Sequence, residues 1–152
     1  MGNVDSARRL IEAVHAAGVR EFVVCAGSRN SPLLAVLGAM DVPLFSFVDE
    51  RSAAFFALGR IKLHGSPVAV VTTSGTAVAE MLPAAIEAHY SGLPLILISA
   101  DRPAAFRGTG APQSIEQVAL FGVYAETSLE AWDAVRPLHL NIEFGEPLLD
   151  ES

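Results

Sequence analysis

Apolar residues recur along this chain in two alternating rhythms. From Asp5 onward, Ala7, Leu10, Ile11, Val14 and Ala17 fall at helical spacing while Arg8, Arg9 and Glu12 take the other side, and Gly18 suits a stop. This spacing predicts a surface helix. Phe22 to Cys25 is a short β-branched and aromatic run that ends at Gly27, with Ser31 and Pro32 placed as N-cap and first residue of a second helix. Leu44 to Val48 reads as the next strand, and Asp49-Glu50 opens a run, Ala53 to Leu63, that is apolar on nearly all faces and so predicts a buried helix. Val68 to Thr72 is a continuous apolar strand, turned at Thr73 to Thr76 into a helix reaching about His89, and Leu95 to Ser99 is the fourth strand. Further on, Ile115 to Phe121 reads as a short helix, Tyr124 to Leu129 as a strand and His139 to Ile142 as the last strand.

Strands without polar alternation are covered on both faces, and the helical runs between them are long enough to be crossovers. The fold class that follows is α/β: a three-layer α/β/α sandwich around a mainly parallel, doubly wound sheet. Residues 101 to 114, rich in Gly, Pro and Arg, read as a long irregular loop at the C-terminal edge of that sheet.

Composition narrows the function classes. At 152 residues the chain fits one domain with a real core. Half of it is apolar (51%) and mean hydropathy is +0.41, which excludes disorder. A net charge of −7 with no basic cluster argues against nucleic acid and anionic lipid. The single cysteine, Cys25, permits no internal disulfide and reads as core, in keeping with a reducing cytoplasm. No signal sequence is visible, and no apolar run approaches the roughly 20 residues of a membrane span. A soluble cytoplasmic protein is expected.

In a doubly wound sheet, ligands bind beyond the carboxyl ends of the strands, so the first residues after each strand carry the interest. Ser28 and Arg29, at the start of a helix, form either a carboxylate or phosphate site or an ordinary strand-to-helix turn, and both readings stay open. Thr73, Ser74 and Gly75 lack a cation and fit helix capping better. Glu50 is either an acid in a first helical turn or, among Phe47, Val48, Ala53, Ala54, Phe55 and Phe56, a carboxylate short of water that can share a proton. Arg29, Arg102 and Arg107 around one sheet edge, with Gln113 and Gln117 nearby, would suit a substrate with several carboxylates. The bland alternative is a solvated Arg107 and an Arg102 paired with Asp101. His15, His64, His89 and His139 show no ligand spacing, so no metal site is expected and His139 reads as a core or sheet residue.

Taken together, these segments resemble one family. Ala26-Gly27-Ser28-Arg29-Asn30-Ser31-Pro32-Leu33, Phe47-Val48-Asp49-Glu50-Arg51, Thr73-Ser74-Gly75-Thr76-Ala77, Ser99-Ala100-Asp101-Arg102-Pro103 and Gly110-Ala111-Pro112-Gln113 stand in the order and spacing of the pyrimidine-binding N-terminal domain of the MenD-type synthases. Those thiamine-diphosphate enzymes decarboxylate 2-oxoglutarate and add the succinyl unit to isochorismate. The resemblance implies that the whole chain, 1–152, is one pyrimidine-binding domain, with the central and diphosphate-binding domains absent. It implies Glu50 as the catalytic glutamate on the aminopyrimidine N1′. Ala26, Thr73, Ser74 and Gly75 align with positions near the cofactor, and Ser28, Arg29, Arg102 and Gln113 with positions lining the substrate pocket.

The same resemblance implies thiamine diphosphate as cofactor, with Mg²⁺ bound by a domain outside this chain. It also implies a homodimer or higher homo-oligomer in which the diphosphate-binding domain of a second subunit completes the site. Ala26, Glu80 and Pro112 depart from the residues frequent in the family. Only Glu130 to Arg136 separate the strand ending near Leu129 from the tail that begins at Pro137, where the family carries a longer stretch with a helix. Two other readings stand beside this one: a small subunit of another thiamine-diphosphate decarboxylase, and a non-catalytic α/β binding or dimerisation module.

Overall fold

A computed structural model describes residues 2–149. Five strands make one parallel sheet: β1 (Glu21–Val24), β2 (Leu44–Ser46), β3 (Val68–Thr72), β4 (Leu95–Asp101) and β5 (Leu138–Glu143), in the order β2-β1-β3-β4-β5. Helices α1 (Asn3–Ala16) and α2 (Ser31–Gly38) cover one face. Helices α3 (Glu50–His64), α4 (Thr76–Ala79) and α5 (Leu82–Ser91) cover the other. Alternate residues of the same strands feed the two cores: Val23, Val70 and Leu97 pack under α3 and α5, whereas Phe22, Ala69 and Ile96 pack under α1 and α2. The three-layer, doubly wound architecture expected from the hydrophobic pattern is the one observed.

The helix expected from Thr76 to His89 is broken. Pro83 lacks an N–H and tolerates only a first turn, so a new helix begins at Leu82 after the four-residue α4. Neither expected cap is made. Ser31 lies inside α2, after Asn30, and the residue preceding α4 is Gly75 without a side-chain cap. Helix α3 is also less enclosed than its composition predicts. Ala53, Ala54, Ala57, Leu58 and Ile61 are buried, but Leu63 is 71% exposed and Phe55 is exposed as well, because only one side of the helix meets the sheet.

The last third departs further. Ile115 to Phe121 forms turns, not a helix, and Tyr124 to Leu129 contributes only a parallel bridge between Glu126 and Leu138. Glu126 donates its N–H to Pro137 O (2.8 Å) and accepts from His139 N (2.8 Å). Parallel neighbours need a crossover of about a dozen residues or more, usually a helix. Here residues 127–137 close into a compact turn in which Asp133 accepts from the N–H groups of Val135 and Arg136. The short connection therefore holds the sixth strand to a single pair. Trp132 and Leu129 pack on the α1/α2 side, where a right-handed crossover would have placed its helix.

Candidate functional site at the C-terminal edge of the sheet

The chain leaves β1 toward one face and β3 toward the other, which puts a topological switch point between them. The two turns there touch. A Cβ added to Gly27 would lie 2.6 Å from Thr73 Cβ, so only glycine fits. Asn30, fully buried, locks the first turn: its Oδ1 accepts from Gly27 N and its Nδ2 donates to Cys25 O, both at 2.9 Å. The Ala26 and Ser28 side chains face outward beside this clamp.

Glu50 opens α3 at the same edge, one strand over. Asp49 caps the helix through Ser52 N (2.6 Å), and its bonds to the Ser52 hydroxyl and N–H hold its carboxyl below the usual carboxylate range. Glu50 has no hydrogen-bond or ion-pair partner among the described residues. Its field is felt at the end of β1: burial pushes the Cys25 thiol up to about 12, and the charges of Glu50 and Asp49 add to the effect. Cys25 is thus the inert core residue expected. The described residues enclose Glu50 only in part. Glu50 is half-buried and the neighbouring Val48 is 99% exposed, while the rings of Phe45 and Phe47 pack on Phe56 of α3.

The loop after β4 folds back over the turn after β3. Ser74 Oγ donates to Gln113 O (2.8 Å), and a Cβ on Gly75, whose φ is +77°, would meet Gln113 at 2.8 Å. Gln113 itself has φ 54°, a left-handed backbone uncommon for a side-chain-bearing residue. Ser74 and Gly75 therefore hold a loop instead of capping a helix. Thr72 Oγ1 beneath them is buried with no partner among the described residues.

The three arginines do not form one open cluster. Arg29 is buried, donating from Nη1 to Phe144 O (2.9 Å) and pairing through Nη2 with Glu146 (2.9 Å). Arg107 pairs with Asp101 (3.4 Å) and with Glu143. Arg102 touches Asp101 only through its backbone N–H (2.8 Å) and sends Nε to Pro112 O (3.2 Å), so its guanidinium has no carboxylate partner among the described residues. The expected alternatives are exchanged: Arg107, not Arg102, neutralises Asp101.

Gln117 and His139 belong to a buried polar lattice that the sequence pattern did not predict. Gln117, with no exposed surface, accepts from Gly75 N (2.9 Å) and donates to Ala100 O (3.0 Å) and Asn141 Oδ1 (2.8 Å). Ser99, Asp101, His139 and Asn141 complete it across β4 and β5. The signal was available: these polar residues stand two apart within otherwise apolar strands, so register brings them onto one face.

The profile of the family described as "Thiamine pyrophosphate enzyme, N-terminal TPP binding domain" matches residues 4–120, and the chain belongs to that family. Several similar curated proteins are named 2-succinyl-5-enolpyruvyl-6-hydroxy-3-cyclohexene-1-carboxylate (SEPHCHC) synthase. That of Bdellovibrio bacteriovorus is 49% identical over 164 residues, covering 99% of this chain and 31% of that protein. That of Akkermansia muciniphila is 54% identical over 143 residues, covering 86% of this chain and 27% of that protein. That of Bacillus pumilus is 50% identical over 119 residues, covering 78% and 20%. The chain thus spans under a third of the length of these relatives. Among the described residues, no helix is long and apolar enough to cross a membrane.

Proposed function

We propose that residues 1–152 form one pyrimidine-binding domain that supplies the aminopyrimidine half of a SEPHCHC synthase active site. The observation that carries this reading is the state of Glu50: a carboxylate at the strand edge, at a helix N-terminus, with none of its acceptor capacity used among the described residues. Such a group can take a hydrogen bond from a ring nitrogen and hold the shared proton there, and a capped helix N-terminus fixes where it stands. Thiamine diphosphate supplies the carbanion chemistry when bound. The half-buried setting of Glu50 fits a site closed by another surface, and the exposed apolar side chains of Val48 and Phe55 fit the same role. The reading places the diphosphate-binding domain of a second subunit, with its Mg²⁺, against that surface, in a cytoplasmic homodimer or higher homo-oligomer. No group of three His, Cys, Asp or Glu side chains among the described residues could hold a metal ion.

On this reading the substrates are 2-oxoglutarate and isochorismate, and Arg102, whose guanidinium has no carboxylate partner among the described residues, is the cation for their carboxylates, with Ser28 and Gln113 as hydrogen-bonding groups. Ala26, Thr73, Ser74 and Gly75 shape the turn next to the aminopyrimidine. Arg29 contributes to the substrate side only after exchanging its Glu146 partner, whose side chain is 67% exposed. The test is Glu50→Gln in an assembly containing the diphosphate-binding domain. Folding is expected to stay within about 0.5 kcal/mol of the parent, since the carboxylate holds nothing in place, while 2-oxoglutarate turnover falls by about 10²-fold or more. Near-parental turnover would remove Glu50 from the mechanism.

A further inference from the structure

The connection from β4 toward residue 126 crosses the α3/α5 face of the sheet without forming a regular helix, and it leaves a cavity of about 300 Å³ against β5. Val118, Ala119, Phe121 and Ala125 line it together with His139 and Asn141. That is roughly twice the ~150 Å³ in which an apolar cavity binds benzene, and at the lower end of ligand-site volumes. No charged residue lines it.

The polar lattice beneath fixes every proton around His139. A backbone N–H can only donate, so Gly75 N (2.9 Å) makes Oε1 of Gln117 the acceptor and leaves its Nε2 to donate to Asn141 Oδ1 (2.8 Å). Asn141 then turns Nδ2 to the Asp101 carboxylate (3.0 Å), as the charge requires. Ser99 Oγ lies 2.8 Å from Asn141 Oδ1, which has no proton to give, so the hydroxyl proton goes there. The hydroxyl has no second proton. Its 2.7 Å contact with His139 must therefore run from Nε2–H to Ser99 Oγ.

His139 is 2% exposed, and burial holds its pKa down at about 4 against the pull of Asp101, so the ring is neutral at pH 7. With the proton on Nε2, Nδ1 is a bare lone pair. Nothing among the described residues donates to it, and it is not one of the sealed, unpartnered polar atoms, which are Thr72 Oγ1 and His89 Nδ1. His139 lines the cavity, and Nδ1 is its one ring nitrogen without a partner among the described residues.

We propose that this cavity binds a small, uncharged, largely apolar molecule carrying one hydrogen-bond donor, of the class of phenols and indoles, with the donor on His139 Nδ1. An acceptor-only ligand meets lone pair with lone pair, and an ion finds no counter-charge in the walls. The site stands apart from Glu50, so it can hold or fail independently of the function proposed above.

Phenol and anisole, which differ in the donor proton, separate the outcomes when titrated into the ¹⁵N-labelled chain at pH 7. Phenol is expected to shift the amides of residues 118–127 and of β5 saturably and to move the Nδ1 resonance of His139. Anisole is expected to bind at least tenfold more weakly and to leave Nδ1 unmoved. His139→Phe should abolish the difference. Because that variant strips Ser99 of a partner, Ala125→Leu serves as a second one: it fills the cavity, leaves the lattice intact and should weaken phenol at least tenfold. Equal affinity for the two ligands, no saturable shift with phenol, or phenol binding indifferent to Ala125→Leu would each overturn the proposal.

Discussion

Gly27 and Thr73 touch across the switch point of the sheet so closely that one methyl group cannot be added between them. The contact joins the turn after β1 to the turn after β3, and both border Glu50's edge of the molecule. Gly27→Ala puts a Cβ 2.6 Å from Thr73 Cβ, a branch point with little rotational freedom. Overpacking of this kind costs about 1–3 kcal/mol. A lower urea midpoint with an unchanged slope is expected, and Thr73→Ser added to it should rescue only in part, since the Cβ remains. An unchanged midpoint for Gly27→Ala would mean that the two turns can separate freely.

Among the described residues, Gln117 is the one side chain that ties β3, β4 and β5 together at their carboxyl ends. Gln117→Leu keeps the bulk but strands Gly75 N and Ala100 O, each a buried group worth about 1–3 kcal/mol when unsatisfied. The expected loss is about 2–5 kcal/mol, with amide exchange accelerating first at Gly75 and in the loop bearing Gln113. Uniform acceleration through α1 and β1 instead would show that the residue supports the fold at large and not this loop.

The first two thirds of the fold were legible because each strand is an unbroken apolar run followed by its own turn residues, and that local code repeats at Val24, Ser46, Thr72 and Ser99. The last third was not, because its structure is set by length. The run from Tyr124 to Leu129 has the composition of a strand, yet too short a connection to β5 lets only Glu126 pair. Candidate-site positions such as Gly27, Glu50 and Gly75 could be placed on the edge from order alone. What order could not convey is which charges are already spent: Arg29 and Arg107 find partners at Glu146 and Glu143, over a hundred and over thirty residues away.

Glu21 and Arg60 form a two-pronged pair, Nε to Oε2 at 2.8 Å and Nη2 to Oε1 at 2.5 Å, with the guanidinium also over the Phe45 ring at 5.1 Å. The hydrogen bond from Arg60 holds the Glu21 carboxyl below its usual value of 4.5. A carboxyl lowered by folding stabilises the native state above its unfolded pKa, and that contribution fades as pH falls through the folded value. Glu21→Gln should therefore lower the melting temperature at pH 7 and match the parent more closely as pH drops below 4. A constant gap down to pH 2.5 would assign the effect to packing instead of charge.

His139 titrates in the opposite sense to a histidine that gains a partner on folding. Burial lowers its pKa from 6.5 to about 4 in the native state, so between those values the unfolded chain binds a proton that the native chain refuses. Stability from this group is whole above pH 6.5 and drains away as pH falls toward 4, by up to about 3 kcal/mol at 1.36 kcal/mol per pKa unit. Other groups also titrate in this range, so the comparison is with His139→Gln, whose amide can donate to Ser99 as Nε2–H does but takes up no proton. The variant is expected to be less stable than the parent at pH 7.5 and to lose less between pH 7 and 4.5 in urea melts. Parallel pH profiles for the two proteins would place the imidazole in water, and with it undo the tautomer from which the lone pair on Nδ1 was deduced.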